Sequence, residues 1–502
     1  MITPMQQKIR DKTITAKQWA DMVKSGNWIN LGNVSSDSTA CMDALSERLG
    51  NGPGQVKDIE VWTQANVLTT PIIEKCDPEA KYCLLHEYFM MPPSRHWNDK
   101  YKSVDWGHWG WSAGMNYLYA RWARKEKSKV ANDWAILSVP PPEHGFVNFS
   151  YGVNNAMIAV NTSKKFVAEI RDDFAWCEPG RNMLLPIDDV DYLVEVDTSN
   201  PLYQWPQTDE KSLAPSEEEK TIAKNILSIM GDGDCLQIGI GRIPTAIVFG
   251  IKDAGLKHLG VHTEMCGEWI FTLIEAGCID NSMKNIDSGR CVWTYAIPSD
   301  IKRYKEFMHH NSSFAGYDVF YTNNIITLSK NDHQIGINNF VALDLYGQDA
   351  CSHHNGRPIS GTGGQFQFTV GCAMAKGGRG ILAATSRDNK GNSRFVPTFP
   401  PGTMVDVPSQ FVSWVVTENG IVNLMGKSQY EKAHDIIHIL AHPDDREWLE
   451  REAYKLNLIP KHFKLWPDRR YPDYWKELRD YKHLYTSELW GFEHNGNLWS
   501  GR

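Results

Sequence analysis

The chain has 502 residues, with 52 Lys and Arg against 60 Asp and Glu, a formal charge of −8, and a hydrophobic share of 42%. That describes a globular chain long enough for two or three domains, each with a buried core. Net negative charge without a basic block argues against nucleic acid or an anionic membrane as partner, since both need Lys and Arg gathered on one face. The first residues, MITPMQQKIRDKTITAKQWADMV, contain no apolar run of the signal-peptide kind, so a cytoplasmic location is expected. Ten cysteines lie scattered without a C-x-x-C pair and read as reduced core thiols.

In chain order, short β-rich runs at 28–32, 58–63, 134–139, 165–170 and 191–196 alternate with helix-like stretches such as 39–49. Residues 198–220, TSNPLYQWPQTDEKSLAPSEEEK, combine three prolines with a charge run and read as a solvated connection. Beyond it, strands are predicted at 235–240, 259–263, 318–321, 334–337, 380–384 and 411–417. Helices are predicted at 218–230, 245–254, 268–276, 365–376 and 429–440. The pattern implies an α/β chain of two open, mostly parallel α/β domains. The expected division is residues 1–200, a linker over 201–220, a second domain over 221–458, and an aromatic-rich C-terminal extension over 459–502. That extension is too aromatic for a disordered tail and is expected to dock on the body or on a neighbouring subunit.

Three segments could carry chemistry. CLQIGIGRIPTA (235–246) runs a strand into Gly239 and Gly241 and then opens a helix, a geometry that offers N–H groups to an anion. A dinucleotide fingerprint needs a glycine where Pro244 stands, although Glu264 is spaced as a ribose-binding acid would be, so a nicotinamide-dependent dehydrogenase or nucleotide-binding module stays open. Glu264, in LGVHTEMCGEWI (259–270), falls where α/β sheets place ligands; as nucleophile, ribose ligand or solvated charge it is undecided on spacing alone. ISGTGGQFQF (359–368) holds Gly361, Gly363 and Gly364 in a loop able to aim N–H groups at an oxyanion, or to be a plain tight turn. His434, His438 and His442 recur every four residues but lack the glutamate of a zincin helix, and no metal is expected. The adjacent pairs His309–His310 and His353–His354 read as solvated loop residues.

The order of these motifs resembles the family I CoA transferases, in the acetyl-CoA hydrolase/transferase branch that includes 4-hydroxybutyrate and butyrate:acetate CoA-transferases. The resemblance rests on LQIGIGRIPTAIV (236–248), LGVHTEM (259–265), INNFVALDLYGQ (337–348), SGTGGQFQF (360–368), AKGGRGILAATS (375–386), VVTENGIVNLMGKS (415–428) and AHPDDRE (441–447), with VPPPEHGFVNFSYGVN (139–154) and DVDYLVEVD (189–197) before them. It implies two α/β domains of the CoA-transferase type and ping-pong transfer of CoA between carboxylic acids, with an acyl-CoA hydrolase as the near alternative. The position matching the family nucleophile is Glu264. The Gly363 and Gly364 N–H groups and the Asn323 amide are the implied oxyanion donors. Gly239, Ile240, Gly241, Arg242, Ile243, Asn338, Gly361 and Gly364 are the implied CoA contacts. Coenzyme A enters as co-substrate with no tightly bound cofactor, and the partners are an acyl-CoA, a small carboxylic acid and further copies of the chain, as a homodimer or higher oligomer. Glu418, in VVTENG, resembles the nucleophile setting of the ketoacid branch and is the rival to Glu264.

The sequence departs from the family at Cys266, Gly267, Glu268 and Trp269, at Gln367, and in AATSRDNKGN after the following strand, all near the acyl side. It also carries an aromatic stretch over 86–122 and 19 tryptophans in all. Either an interface or a pocket for a larger acid would use them.

Overall fold

A computed structural model of the protein describes residues 3–32, 34–111, 132–205, 214–239, 241–354 and 357–459. Ile240 and the aromatic extension beyond Ile459 lie outside the described residues, as do 112–122 of the aromatic stretch and the middle of the predicted linker. The rest of that linker is structured, with Tyr203 and Trp205 buried.

Seven parallel strands make the first sheet: β1 (Trp28–Asn30), β2 (Ile59–Thr63), β3 (Cys83–Glu87), β4 (Val104–Trp106), β5 (Asn132–Val139), β6 (Ser163–Ile170) and β7 (Tyr192–Glu195), in the order β7-β6-β5-β1-β2-β3-β4. Six strands make the second: β8 (Cys235–Ile238), β9 (Gly260–Val261), β10 (Gln334–Asn339), β11 (Arg379–Ala383), β12 (Trp414–Thr417) and β13 (Gly420–Asn423), in the order β9-β8-β10-β11-β12-β13. Only the last pair is antiparallel. Strands β8 and β11 are buried along their whole length, as the apolar runs of strands covered on both faces require.

Chain direction across the second sheet reverses between β8 and β10. The crevice at the carboxyl ends of those strands is where such sheets take ligands. Helix α1 (Glu217–Leu227) starts on a Ser216–Glu219 capping box. Helix α2 (Arg242–Ala254) begins at Gly241, whose φ of +130° suits glycine, and has Pro244 in its first turn. Helix α3 (Glu268–Glu275) follows Glu264, and α4 (Gln365–Met374) follows the second glycine loop.

Where a strand is predicted over 318–321, the strand is Phe314–Tyr317 and a four-residue helix, Val319–Thr322, comes next. Asp318 causes the switch: its carboxylate accepts the N–H groups of Phe320 and Tyr321, a cap that starts a helix and leaves Asn323 at its end. One apolar cluster contains Leu137, Phe149 and Phe166 from the first half together with Ile238, Ile270 and Trp293 from the second. The two halves therefore share a core. Among the described residues, no helix is long and apolar enough to cross a membrane.

Candidate active site

Glu264 stands just beyond β9. Its carbonyl accepts the N–H groups of Thr294 (3.0 Å) and Tyr295 (3.2 Å), and Met265 pairs with Tyr295 in a short parallel bridge. The backbone is thereby held so that three donors meet the side chain. The Tyr295 hydroxyl donates to Oε1 at 3.2 Å, Asn323 Nδ2 donates to Oε2 at 2.5 Å, and the Gly364 N–H lies close enough to the carboxylate to favour its charged form. Asn323 faces Glu264 with its nitrogen because its oxygen accepts Thr322 Oγ1 at 3.0 Å.

Glycine is required at two loop positions. A Cβ on residue 364 would lie 1.8 Å from Glu264 Oε2, and one on residue 361 would lie 2.1 Å from the Tyr88 carbonyl. Gly363 takes φ +53° and turns its carbonyl toward Trp111, whose N–H donates to it at 2.9 Å. Glu264, Asn323, Gly363 and Gly364 thus converge, as the motif order implies. Of the last two, Gly364 supplies the N–H to the carboxylate.

Glu264 keeps one edge open to solvent, yet its surroundings desolvate it and raise its pKa to about 7. The Asn323, Tyr295 and Gly364 hydrogen bonds oppose that rise without cancelling it, and no cation contributes. Burial and the adjacent Glu264 push the Tyr295 hydroxyl well above its ordinary range, so it stays protonated and remains a donor. Tyr295 carries no sequence signal, because a tyrosine in WTYAI reads as core.

Nearby, a cleft of about 770 Å³ opens over the carboxyl ends of β10, β11 and β12, lined in part by Arg242, Ile243, Asn339, Arg387, Arg394 and Glu418. Arg242 is paired with Glu219 at 2.9 Å and Arg387 with Asp445 at 2.6 Å. Arg394 forms no salt bridge, and its Nε is buried without a partner among the described residues. Next to Asn339 on β10, Asn338 Oδ1 accepts from Gln237 Nε2 at 3.4 Å while its buried Nδ2 has no acceptor among the described residues. Gly239 is uncrowded: a Cβ there would meet nothing nearer than the Ile337 carbonyl at 3.9 Å. The cleft wall joins the glycine loop through Gln365 Nε2, which donates to the Asn339 carbonyl at 3.0 Å.

Glu418 occupies the two-residue turn between β12 and β13. Its carboxylate accepts from the Ser386 N–H at 2.9 Å, from Ser386 Oγ and from Asn419 Nδ2, and it makes no hydrogen bond to the glycine loop. His434 lies on a helix that passes into a π-turn at His438, and the two rings sit 4.6 Å apart. Among the described residues, the one group of acidic, histidine or cysteine side chains close enough to share an ion is Glu143, His309 and His310. It lies at the surface, away from Glu264, and His309 Nδ1 already accepts the Trp176 N–H at 3.0 Å.

The described part of the aromatic stretch, 86–111, packs within the chain. Trp97 and Trp111 are buried, and Trp106 and Trp109 lie against residues 360–362 and Tyr88. This covers the glycine loop, where the sequence suggests an interface or a wide pocket.

Family profiles described as the acetyl-CoA hydrolase/transferase N-terminal and C-terminal domains match residues 4–201 and 301–453. The butyryl-CoA:acetate CoA-transferase of Anaerostipes caccae is 30% identical over 461 residues, covering 90% of this chain and 98% of that protein. The 4-hydroxybutyrate coenzyme A transferase of Clostridium kluyveri is 34% identical over 337 residues, covering 66% of this chain and 74% of that one. The crystal structure of RipA from Yersinia pestis superposes with a TM-score of 0.78 at 25% identity, covering 91% of this chain and all of that one. With both halves matched in order around the Glu264 site, the chain belongs to the acetyl-CoA hydrolase/transferase family.

Proposed function

We propose that this protein is a CoA-transferase that moves CoA from an acyl-CoA to a free carboxylic acid, with Glu264 as the covalent nucleophile. The observation that carries this reading is the Glu264 carboxylate itself, desolvated, unpaired by any cation, and held by three hydrogen-bond donors against the glycine loop. A carboxylate with a pKa of about 7 is more basic than a solvated one, and it is about half ionised at neutral pH and increasingly so above it.

In this reading a Glu264 oxygen attacks the thioester carbonyl, the tetrahedral oxyanion collapses, and CoA thiolate leaves an acyl-glutamyl anhydride. The thiolate then attacks the glutamyl carbonyl carbon, releasing the first carboxylate and leaving a glutamyl-CoA thioester. The acceptor carboxylate attacks that thioester carbonyl and frees CoA thiolate, which attacks the new acyl carbonyl and restores Glu264. Thioester and anhydride have comparable reactivity, so each exchange is close to thermoneutral, whereas a serine would form a more stable ester. When the glutamyl carbonyl is attacked, charge develops on the oxygen that Asn323 already holds, and the Gly364 N–H lies beside it.

CoA is assigned to the cleft beside α2. Arg242 and Arg394 offer charge to phosphates, and the unpartnered Asn338 Nδ2 offers a donor to the pantetheine amides. A ribose-binding role for Glu264 finds no support, because its oxygens already serve the loop and Asn323. Beside Glu264 the side chains are apolar: Val34, Ala65, Trp111, Met265 and Tyr295 form one buried cluster with Phe89 and Phe320 at its edge. All ten cysteines are free thiols, which agrees with a reducing cytoplasm. Exposed Phe249 and Ile326 offer apolar surface for the expected homo-oligomer.

The deciding experiment is intact-mass analysis after mixing with butyryl-CoA. A CoA-sized adduct that borohydride removes, absent in Glu264→Gln, is expected, together with CoA exchange that saturates with added acetate. Equal adduct in wild type and variant ends the assignment. Thiol release indifferent to acetate assigns hydrolysis in place of transfer.

A further inference from the structure

Residues 106–111 leave the edge strand β4 of the first sheet and cross to the glycine loop of the second half. Three hydrogen bonds tie this strap to the loop at successive places. Trp106 Nε1 donates to the Ser360 carbonyl at 2.6 Å, Thr362 Oγ1 donates to the Trp109 carbonyl at 2.9 Å, and the Trp111 N–H donates to the Gly363 carbonyl at 2.9 Å. His108 Nε2 reaches the buried Asp406 carboxylate at 3.0 Å, which anchors the strap from the same side.

The last of the three bonds bears on the chemistry. The Gly363 carbonyl and the Gly364 N–H belong to one planar trans peptide, so they point in opposite directions and turn together. Holding the carbonyl toward Trp111 aims the N–H at Glu264. Gly363 at φ +53° has the freedom to rotate that plane, and the loop's own contact to the same carbonyl, from Thr362 Oγ1 at 3.5 Å, is long.

The indole of Trp111 acts on the other oxygen. It is 2% exposed and stacks on the Tyr295 ring, with centroids 5.2 Å apart and planes 9° apart, and the Tyr295 hydroxyl donates to Glu264 Oε1. Phe89 packs on the indole from a second side at 5.8 Å.

We infer that Trp111 is a positioning residue for the transfer reaction: its N–H orients the Gly363–Gly364 peptide and its ring orients Tyr295, so that one residue from the first half sets two of the three donors around Glu264. This rests on the Glu264 reading above. Trp111 touches neither CoA nor the reacting atoms in this scheme, so its loss should lower turnover and leave the affinity for acyl-CoA nearly intact.

The test uses the full chain, with active sites counted by the CoA adduct, so that kcat is expressed per site able to form it. Trp111→Ala keeps the main-chain N–H and removes the ring that steadies Tyr295; it is expected to lower kcat per counted site about 100-fold, the scale of an ångström-sized misplacement, while KM for butyryl-CoA changes by less than about threefold. Trp111→Phe, which keeps a ring against Tyr295, should recover most of that loss. Trp106→Phe removes one strap bond while keeping an aromatic ring, and should lower kcat per site roughly tenfold. That variant decides the matter alone if Trp111→Ala does not fold. A purely structural role would reduce melting temperature and the number of sites without changing kcat per site. Wild-type kcat per site in the variants, or a rise in KM at constant kcat, overturns the inference. If the wild type forms no adduct, the Glu264 reading itself has failed, and site counting reveals this before any variant is compared.

Discussion

Glu264→Gln should abolish transfer and at the same time stabilise the protein above neutral pH. The folded carboxyl titrates near pH 7 against an ordinary value of 4.5, because burial disfavours its charged form. For an acid shifted upward, the folded state holds its proton more tightly than the unfolded state. The cost of ionising it in place is therefore absent below about pH 4.5, grows through the interval to 7 and is fully present above it. A difference of about 2.5 units corresponds to roughly 3 kcal/mol at about 1.36 kcal/mol per unit. Glutamine is neutral and nearly isosteric. Its oxygen can accept from Asn323 and Gly364 while its amide faces the Tyr295 hydroxyl oxygen, but the Tyr295 proton then loses Oε1 as acceptor, which makes the full carboxylate cost an upper bound on the gain. The core shared by the two halves favours one cooperative transition. At about 2.1 cal/mol/K per residue, the unfolding entropy of a chain of this length is about 1 kcal/mol/K, and the expected gain is at most about 3 °C at pH 8.5. Near pH 4.5 the gain should vanish. Differential scanning calorimetry of both proteins across that range supplies the comparison, and the wild-type rate should show an acid limb near pH 7. A variant equally stable or less stable than wild type at every pH would refute the desolvation argument, because the carboxylate would then not be the strained group in the site.

Two substitutions probe the geometry around it. Gly364→Ala forces a Cβ to within 1.8 Å of Glu264 Oε2 and 2.3 Å of Asn323 Nδ2, so adduct formation should fall on the order of 100-fold or more, read as the single-turnover rate by quenched mass analysis. Glu418→Gln should leave the adduct intact, because Glu418 is bound to Ser386 and Asn419 and makes no hydrogen bond to the loop. It should instead alter KM for the CoA ester through the cleft it lines, measured by steady-state kinetics.

What was legible in the sequence was whatever repeats locally. The predicted strands at 58–63, 134–139 and 165–170 coincide closely with β2, β5 and β6, because buried parallel strands declare themselves as continuous apolar runs. The ordered glycine motifs bracketed Glu264 and the loop at 361–364, since only glycine tolerates the close approaches there. Capping chemistry was legible in principle, yet at Asp318 the short apolar run that follows resembled a strand, and in the structure the cap prevails. Tyr295 was silent. Its role depends on a parallel pairing with Met265, thirty residues away, and pairing partners leave no periodic trace. The strap was silent for a further reason, since its link to Gly363 runs from one main-chain group to another and leaves no side-chain signature at residue 111.

That silence shows how the site is assembled. Glu264, Asn323 and Gly364 all come from the second half, and the motifs that encode them sit in sequence order. On the second half's own side the Gly363 carbonyl accepts the Thr362 hydroxyl at a long 3.5 Å, and the shorter bond, from the Trp111 N–H at 2.9 Å, comes from the first. On the reading proposed above, pinning a carbonyl on one side of a peptide to aim the N–H on the other lets a distant segment set a catalytic dipole. In the resting enzyme that dipole already meets the oxygen that would carry charge once the glutamyl carbonyl is attacked. The reaction then needs little rearrangement of the protein at the moment charge appears, and the desolvation that raises the carboxyl to about 7 strengthens the same hydrogen bonds.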